Sequence, residues 1–151
     1  MGGVTNLNGT SLFVSGGSSL SVPGVTAYTD TSGCCGATWE SSGAGSILEL
    51  PNLIQVGGNG TWSLQIAARS SGRLSFKQLT QVADRNLEFI SDGAGSVLEL
   101  PQIQTLQSSA HRIALIAQNQ GTMSISNLTR FNGSTLRVST GGVIPHGQYV
   151  S

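Results

Sequence analysis

The segment Gly43-Ala44-Gly45-Ser46-Ile47-Leu48-Glu49-Leu50-Pro51-Asn52 returns fifty residues later as Gly93-Ala94-Gly95-Ser96-Val97-Leu98-Glu99-Leu100-Pro101-Gln102, and this repetition constrains the fold more than any other feature. Weaker copies fall midway, at 72–78 and 121–127, so the period is about 25 residues. Every copy is followed by an apolar-x-x-apolar step, and six such steps begin at Val4, Val25, Leu53, Leu79, Ile103 and Leu128. A third apolar-x-apolar piece comes between each step and the next copy: Leu12-Phe13-Val14, Ala37-Thr38-Trp39, Leu64-Gln65-Ile66, Leu87-Glu88-Phe89, Ile113-Ala114-Leu115 and Leu136-Arg137-Val138.

Each repeat therefore holds three short pieces in which apolar residues alternate over three to five positions before Gly, Ser or Asn intervenes. A helix-pair repeat needs apolar residues at three- and four-residue spacing over ten or more positions, which these pieces do not supply. A propeller blade needs about 40 residues, and a leucine-rich repeat needs a fixed Asn and a helix. One turn of a coil with three strands fits, and an isolated coil cannot bury its apolar side. Stacking coils in parallel at about 4.8 Å pairs each strand with its equivalent in the next and lines the inward residues into a core. The expected fold is all-β: one right-handed parallel β-helix, or β-solenoid, over residues 1–151, with about six coils of roughly 25 residues and three short strands per coil. Two inward rows follow, Leu20/Leu48/Leu74/Leu98/Met123 and Val22/Leu50/Phe76/Leu100/Ile125. Val4 starts a coil almost at the first residue and Val143-Ile144-Pro145 starts a strand close to the last, without the polar caps a solenoid needs. The expectation is a segment of a longer array, or one that associates with itself end to end or edge to edge.

This pattern, and in particular Gly93-Ala94-Gly95-Ser96-Val97-Leu98-Glu99-Leu100-Pro101-Gln102-Ile103, resembles the right-handed parallel β-helix group of pectate lyases, phage tailspikes and the stalks of large bacterial surface adhesins. It looks most like the degenerate repeats of giant bacterial surface proteins. The resemblance implies the fold strongly and, since such folds host unrelated functions, an activity only weakly. It places the chain outside the cell or on its surface, although Met1–Asn6 carries neither the basic nor the apolar stretch of a secretory signal.

Charge narrows the partners. Seven Lys plus Arg balance seven Asp plus Glu, so the basic excess needed to hold a phosphate backbone is missing, and nucleic acid is disfavoured. No apolar run approaches the 18 or so residues of a membrane span. Only 9% of residues are charged, against about 25% in an ordinary domain, and Ser, Thr, Asn and Gln supply the polarity. Cys34 and Cys35 are adjacent and lack a third cysteine or a neighbouring histidine, so they form neither a disulfide framework nor a readable metal site. No cofactor is implied, and His111 and His146 have no matching nucleophile and orienting acid.

In solenoids insertions collect on one edge, and that edge carries the binding face. The links at 29–36, 57–63 and 107–112 are longer than their counterparts after Leu7, Val82 and Phe131. Stacking then gathers Asp30, Asn59, Trp62, Asp84, Arg85, His111 and Arg112, with Cys34 and Cys35, along one rim. Trp62 offers a platform for a sugar ring, with acidic and basic groups beside it; equally, long turns occur wherever insertions are tolerated. Glu49 and Glu99 occupy the same outward position two coils apart, about 9 to 10 Å, bordering the separation of an inverting glycosidase pair. Both should stand on a solvated face without the burial that makes a catalytic acid. The acids are otherwise scattered singly, and no calcium-binding cluster of a lyase is present. Thr5, Thr26, Thr80 and Thr129 form a row similar to that of ice-binding β-helices, but Ile54 and Gln104 interrupt it and ordinary strand propensity explains it. The expected function is therefore non-catalytic: a structural and adhesive module contacting glycans or surface proteins. The alternatives are a carbohydrate-active or glycan-binding β-helix using Trp62 with Asp84 or Glu99, and ice binding.

Overall fold

A computed structural model describes residues 3–29, 35–58, 62–83 and 85–145. The described residues form a parallel β-solenoid without helix, and consequently no helix long and apolar enough to cross a membrane. The first coil holds β1 (Leu12–Ser15), β2 (Ser19–Ser21) and β3 (Ala27–Thr29), and the second β4 (Ala37–Ser42), β5 (Ile47–Glu49) and β6 (Gln55–Gly57). The third holds β7 (Leu64–Arg69), β8 (Arg73–Ser75) and β9 (Gln81–Val82), and the fourth β10 (Leu87–Asp92), β11 (Val97–Glu99) and β12 (Thr105–Gln107). Then come β13 (Ile113–Gln118), β14 (Thr122–Ser124) and β15 (Arg130–Asn132), followed by β16 (Thr135–Val138).

All pairing is parallel between successive coils. The long face stacks β1-β4-β7-β10-β13-β16, the second face β2-β5-β8-β11-β14, and the third divides into β3-β6-β9 and β12-β15. The expected count of six coils is only approximate: the long face has six strands, the second five, and the third is split into stacks of three and two. The inward rows are in the expected register: Leu20, Leu48, Leu74, Leu98 and Met123 pair in sequence along the second face. From Leu48 to Met123 these residues are fully covered.

Two details differ from the sequence pattern. The pieces expected to be three residues long are six-residue strands in β4, β7, β10 and β13. Also, Leu12 pairs with Trp39, and Trp39 with Ile66, so β1 sits two residues later than the simple alignment with Leu64 implies. A two-residue shift leaves every side chain on its own face, which is why the inward pattern survives it. Trp39 joins an aromatic cluster in the core. Its ring lies 5.0 Å from Tyr28 edge-on and 6.2 Å from Phe76 in a stack, and its Nε1–H donates to the Thr10 carbonyl at 2.9 Å.

The fifty-residue near-identity has a structural cause at the corner between the long and second faces. The link is three residues at 16–18, 70–72 and 119–121 but four at 43–46 and 93–96. Corner types alternate through these five, so the best match skips a coil; the next corner, at 140–142, is again of the three-residue type. In the three-residue type two consecutive residues have positive φ, as at Ser70 and Ser71 or Asn119 and Gln120. Gly72 or Gly121 follows, pressed against the backbone of the preceding coil where a Cβ would meet the carbonyl of Ser41 or Ser91. The four-residue type buries a serine that reaches across. Ser96 Oγ accepts from the Ser71 N–H at 3.0 Å and donates to the Asp92 carbonyl at 2.7 Å, and Ser46 Oγ accepts from the Gly17 N–H at 3.1 Å. Backbone groups left over by one corner are satisfied by the next.

Candidate functional site

The links that enter the long face form the rim. Residues just before its strands stack coil on coil: the Leu64 N–H donates to the Asn86 carbonyl at 3.0 Å and the Leu87 N–H to the Arg112 carbonyl at 2.9 Å. Ser63, Asn86 and Arg112 therefore occupy equivalent places, about 4.8 Å apart per coil. The Arg112 backbone N–H also donates to Asn86 Oδ1 at 2.9 Å, locking two coils at this corner. Alternation along the strand turns Leu64 and Leu87 into the core and brings Gln65 and Glu88 back to the outer surface, paired in register.

A groove of about 260 Å³ opens here, lined by Trp62, Ser63, Asn86, Leu87, Glu88 and Arg112. Trp62 is 54% exposed and Arg112 is exposed, while Asn86 and Glu88 are half-buried. Glu88 Oε2 accepts from Gln65 Nε2 at 3.1 Å, and Gln65 Oε1 accepts from Arg69 at 3.3 Å. Arg69 lies between two carboxylates, 3.1 Å from Glu40 and 3.0 Å from Asp92. Asp92 also accepts from Asn119 at 2.8 Å and Gln118 at 3.1 Å. These bonds hold its carboxyl below the ordinary range: Asn119 contributes most, partial burial opposes it, and Gln118 and the Arg69 charge add to the lowering. The outer surface of the long face is thus a connected polar ladder, with the groove beside it.

Of the residues expected on the rim, Trp62 and Arg112 share this groove. Asp30, Asn59, Asp84 and Cys34 lie outside the described residues, as does His146. Arg85 lies in the expected link but is fully covered, its guanidinium 5.2 Å over the Tyr28 ring, so it faces the core and not the solvent. His111 is half-buried in a tight turn: its backbone N–H donates to Ser108 Oγ at 3.0 Å, and the Ser108 hydroxyl donates back to the His111 carbonyl. That hydroxyl ties the turn together. Cys35 is exposed at the same corner of the second coil.

Glu49 and Glu99 flank Ser75 in register, as the repeat requires. Glu99 is engaged by Arg73 and Ser75 is buried between the two acids. Among the described residues no three His, Cys, Asp or Glu are grouped to hold a metal. Ser63, Asn86 and Glu88 were not singled out by the sequence pattern. The signal for the first two was their place immediately before an inward leucine, legible only once the coils are in register. The chain matches no protein-family model, no curated protein and no solved structure, so its function is argued from its own residues.

Proposed function

We propose that this β-solenoid is a structural and adhesive module of a bacterial extracellular or cell-surface protein, non-catalytic, which presents the Trp62 groove to glycans. The observation that carries the reading is a half-exposed indole at the edge of a groove whose other walls are amide, carboxylate and guanidinium groups, mounted on a rigid ladder. An apolar face with polar groups beside it is the chemistry that suits a sugar ring. The surface location is supported by the resemblance of the repeat at 93–103 to adhesin stalks and by a surface made polar by Ser, Thr, Asn and Gln.

A glycan array probed with the labelled chain tests this. Binding to a subset of saccharides that disappears in Trp62→Ala is the expected result; no binding to any saccharide or surface protein overturns it. Release of reducing ends or unsaturated products from a polysaccharide panel overturns the non-catalytic part. Self-association through coil edges is supported by Leu20, Leu136 and Val138. They belong to inward rows yet are 37%, 40% and 48% exposed on the outermost described coils. Sedimentation at rising concentration checks it, a constant monomer mass being the contrary result.

A further inference from the structure

Three of the cations are committed elsewhere: Arg69 to Glu40 and Asp92, Arg73 to Glu99, and Arg85 to the buried face of Tyr28. Arg112 is different. It is exposed, it lines the groove, and its guanidinium forms no ion pair among the described residues. Glu88 lines the same cavity, yet its carboxylate is held by Gln65 and does not reach Arg112. Opposite charges thus face one small space without meeting. A neutral occupant would leave the guanidinium unmatched, and an occupant with several negative groups would be repelled by Glu88.

From this we infer that the groove selects an anionic sugar residue: a single pyranose ring carrying one carboxylate or sulfate group. The inference rests on the glycan-binding reading above and specifies its ligand. The ring's apolar face lies on Trp62, its anionic oxygens take the donors of Arg112, and its hydroxyls donate to Glu88 and meet the Asn86 amide. The planar guanidinium matches a two-oxygen anion in a way a point charge does not. The volume of about 260 Å³ falls just below the usual range of about 300–1,000 Å³ for pockets that bury a larger ligand, which favours one ring over a buried chain.

The test is a titration of the chain with glucose, glucuronic acid and glucose 6-sulfate, followed by amide and indole NMR shifts at low salt and at 1 M NaCl. The expected result is a preference of about three- to tenfold for one or both anionic sugars, because an exposed charged pair is worth little more. The preference should collapse at high salt and in Arg112→Gln, which retains the backbone bond to Asn86, while weak glucose binding persists. Trp62→Ala should abolish all three. The carboxylate and sulfate arms identify the source of the charge. If glucose binds as well as both anions and Arg112→Gln changes nothing, the inference fails while glycan binding stands. If none of the three perturbs the groove, the inference fails, and the glycan array alone decides the reading on which it rests.

Discussion

Replacing Gly72 with alanine is the sharpest probe of the stack, because the reason for glycine there is the backbone of another coil. A Cβ on Gly72 would lie closer than 3.0 Å to the Ser41 carbonyl oxygen and carbon and to the Ser42 nitrogen. None of these atoms belongs to a flexible side chain, and the φ of Gly72 is not in the left-handed region, so the cost is steric and not conformational. Inserting one methyl into a packed region costs about 1–3 kcal/mol. With three backbone atoms in the way and strands fixed on both sides, the upper end, about 3 kcal/mol, is expected. That is a large part of the roughly 5–15 kcal/mol that holds a domain together, and corresponds to about 6–12 °C in melting temperature for this length. Urea unfolding followed by circular dichroism and by the fluorescence of buried Trp39 would show a lower midpoint with unchanged slope. Gly121→Ala, equivalent two coils on, should behave alike, whereas Gly3→Ala, with nothing within 4 Å, should stay within about 0.5 kcal/mol. A loss below about 1 kcal/mol for both Gly72→Ala and Gly121→Ala would mean that the coils are not held at this spacing.

Further outcomes follow from the same geometry. Leu98→Ala, in the middle of its row, should cost about 2–5 kcal/mol in urea unfolding, while Leu20→Ala, already 37% exposed in that row, should cost clearly less. Ser96→Ala removes the acceptor of the Ser71 N–H, and denaturant midpoints should report a loss of about 1–3 kcal/mol. Asp92 has a folded pKa below its unfolded value of about 3.9, so its contribution is complete above that pH and vanishes as pH falls through the lower folded value. A stability profile between about pH 5 and pH 2 should accordingly show a shallower acid limb in Asp92→Asn, and Asn119→Ala should shift that limb toward higher pH.

Periodicity made the coil legible because burial imposes it. An inward row must be apolar at every turn, so Leu48, Leu74 and Leu98 stand out in one chain without any relatives. The exact register was less legible. Strand β1 slides by two residues against its apparent equivalents, and a period of two hides such a slip. Rim residues obey no burial rule, and there the sequence pattern separates poorly. Trp62 and Arg112 line one groove, yet the pattern could not tell that Arg85, in the adjoining coil, turns inward onto Tyr28. Nor could it find the ladder through Glu40, Arg69 and Asp92, whose successive members are 29 and 23 positions apart and meet only when neighbouring turns align.

From residue 16 to residue 121 the alternation of three- and four-residue corners makes the couplet, and not the single winding, the modular brick of this architecture. Serine on one storey completes the bend of the storey below, and where two like bends do meet, at 119–121 and 140–142, the Gln120 amide turns instead to the Thr140 carbonyl. Removing or duplicating two together preserves the alternation. Designed extensions of the rod can therefore add couplets that keep the serine bridge, or single windings closed by a glycine bend such as 140–142.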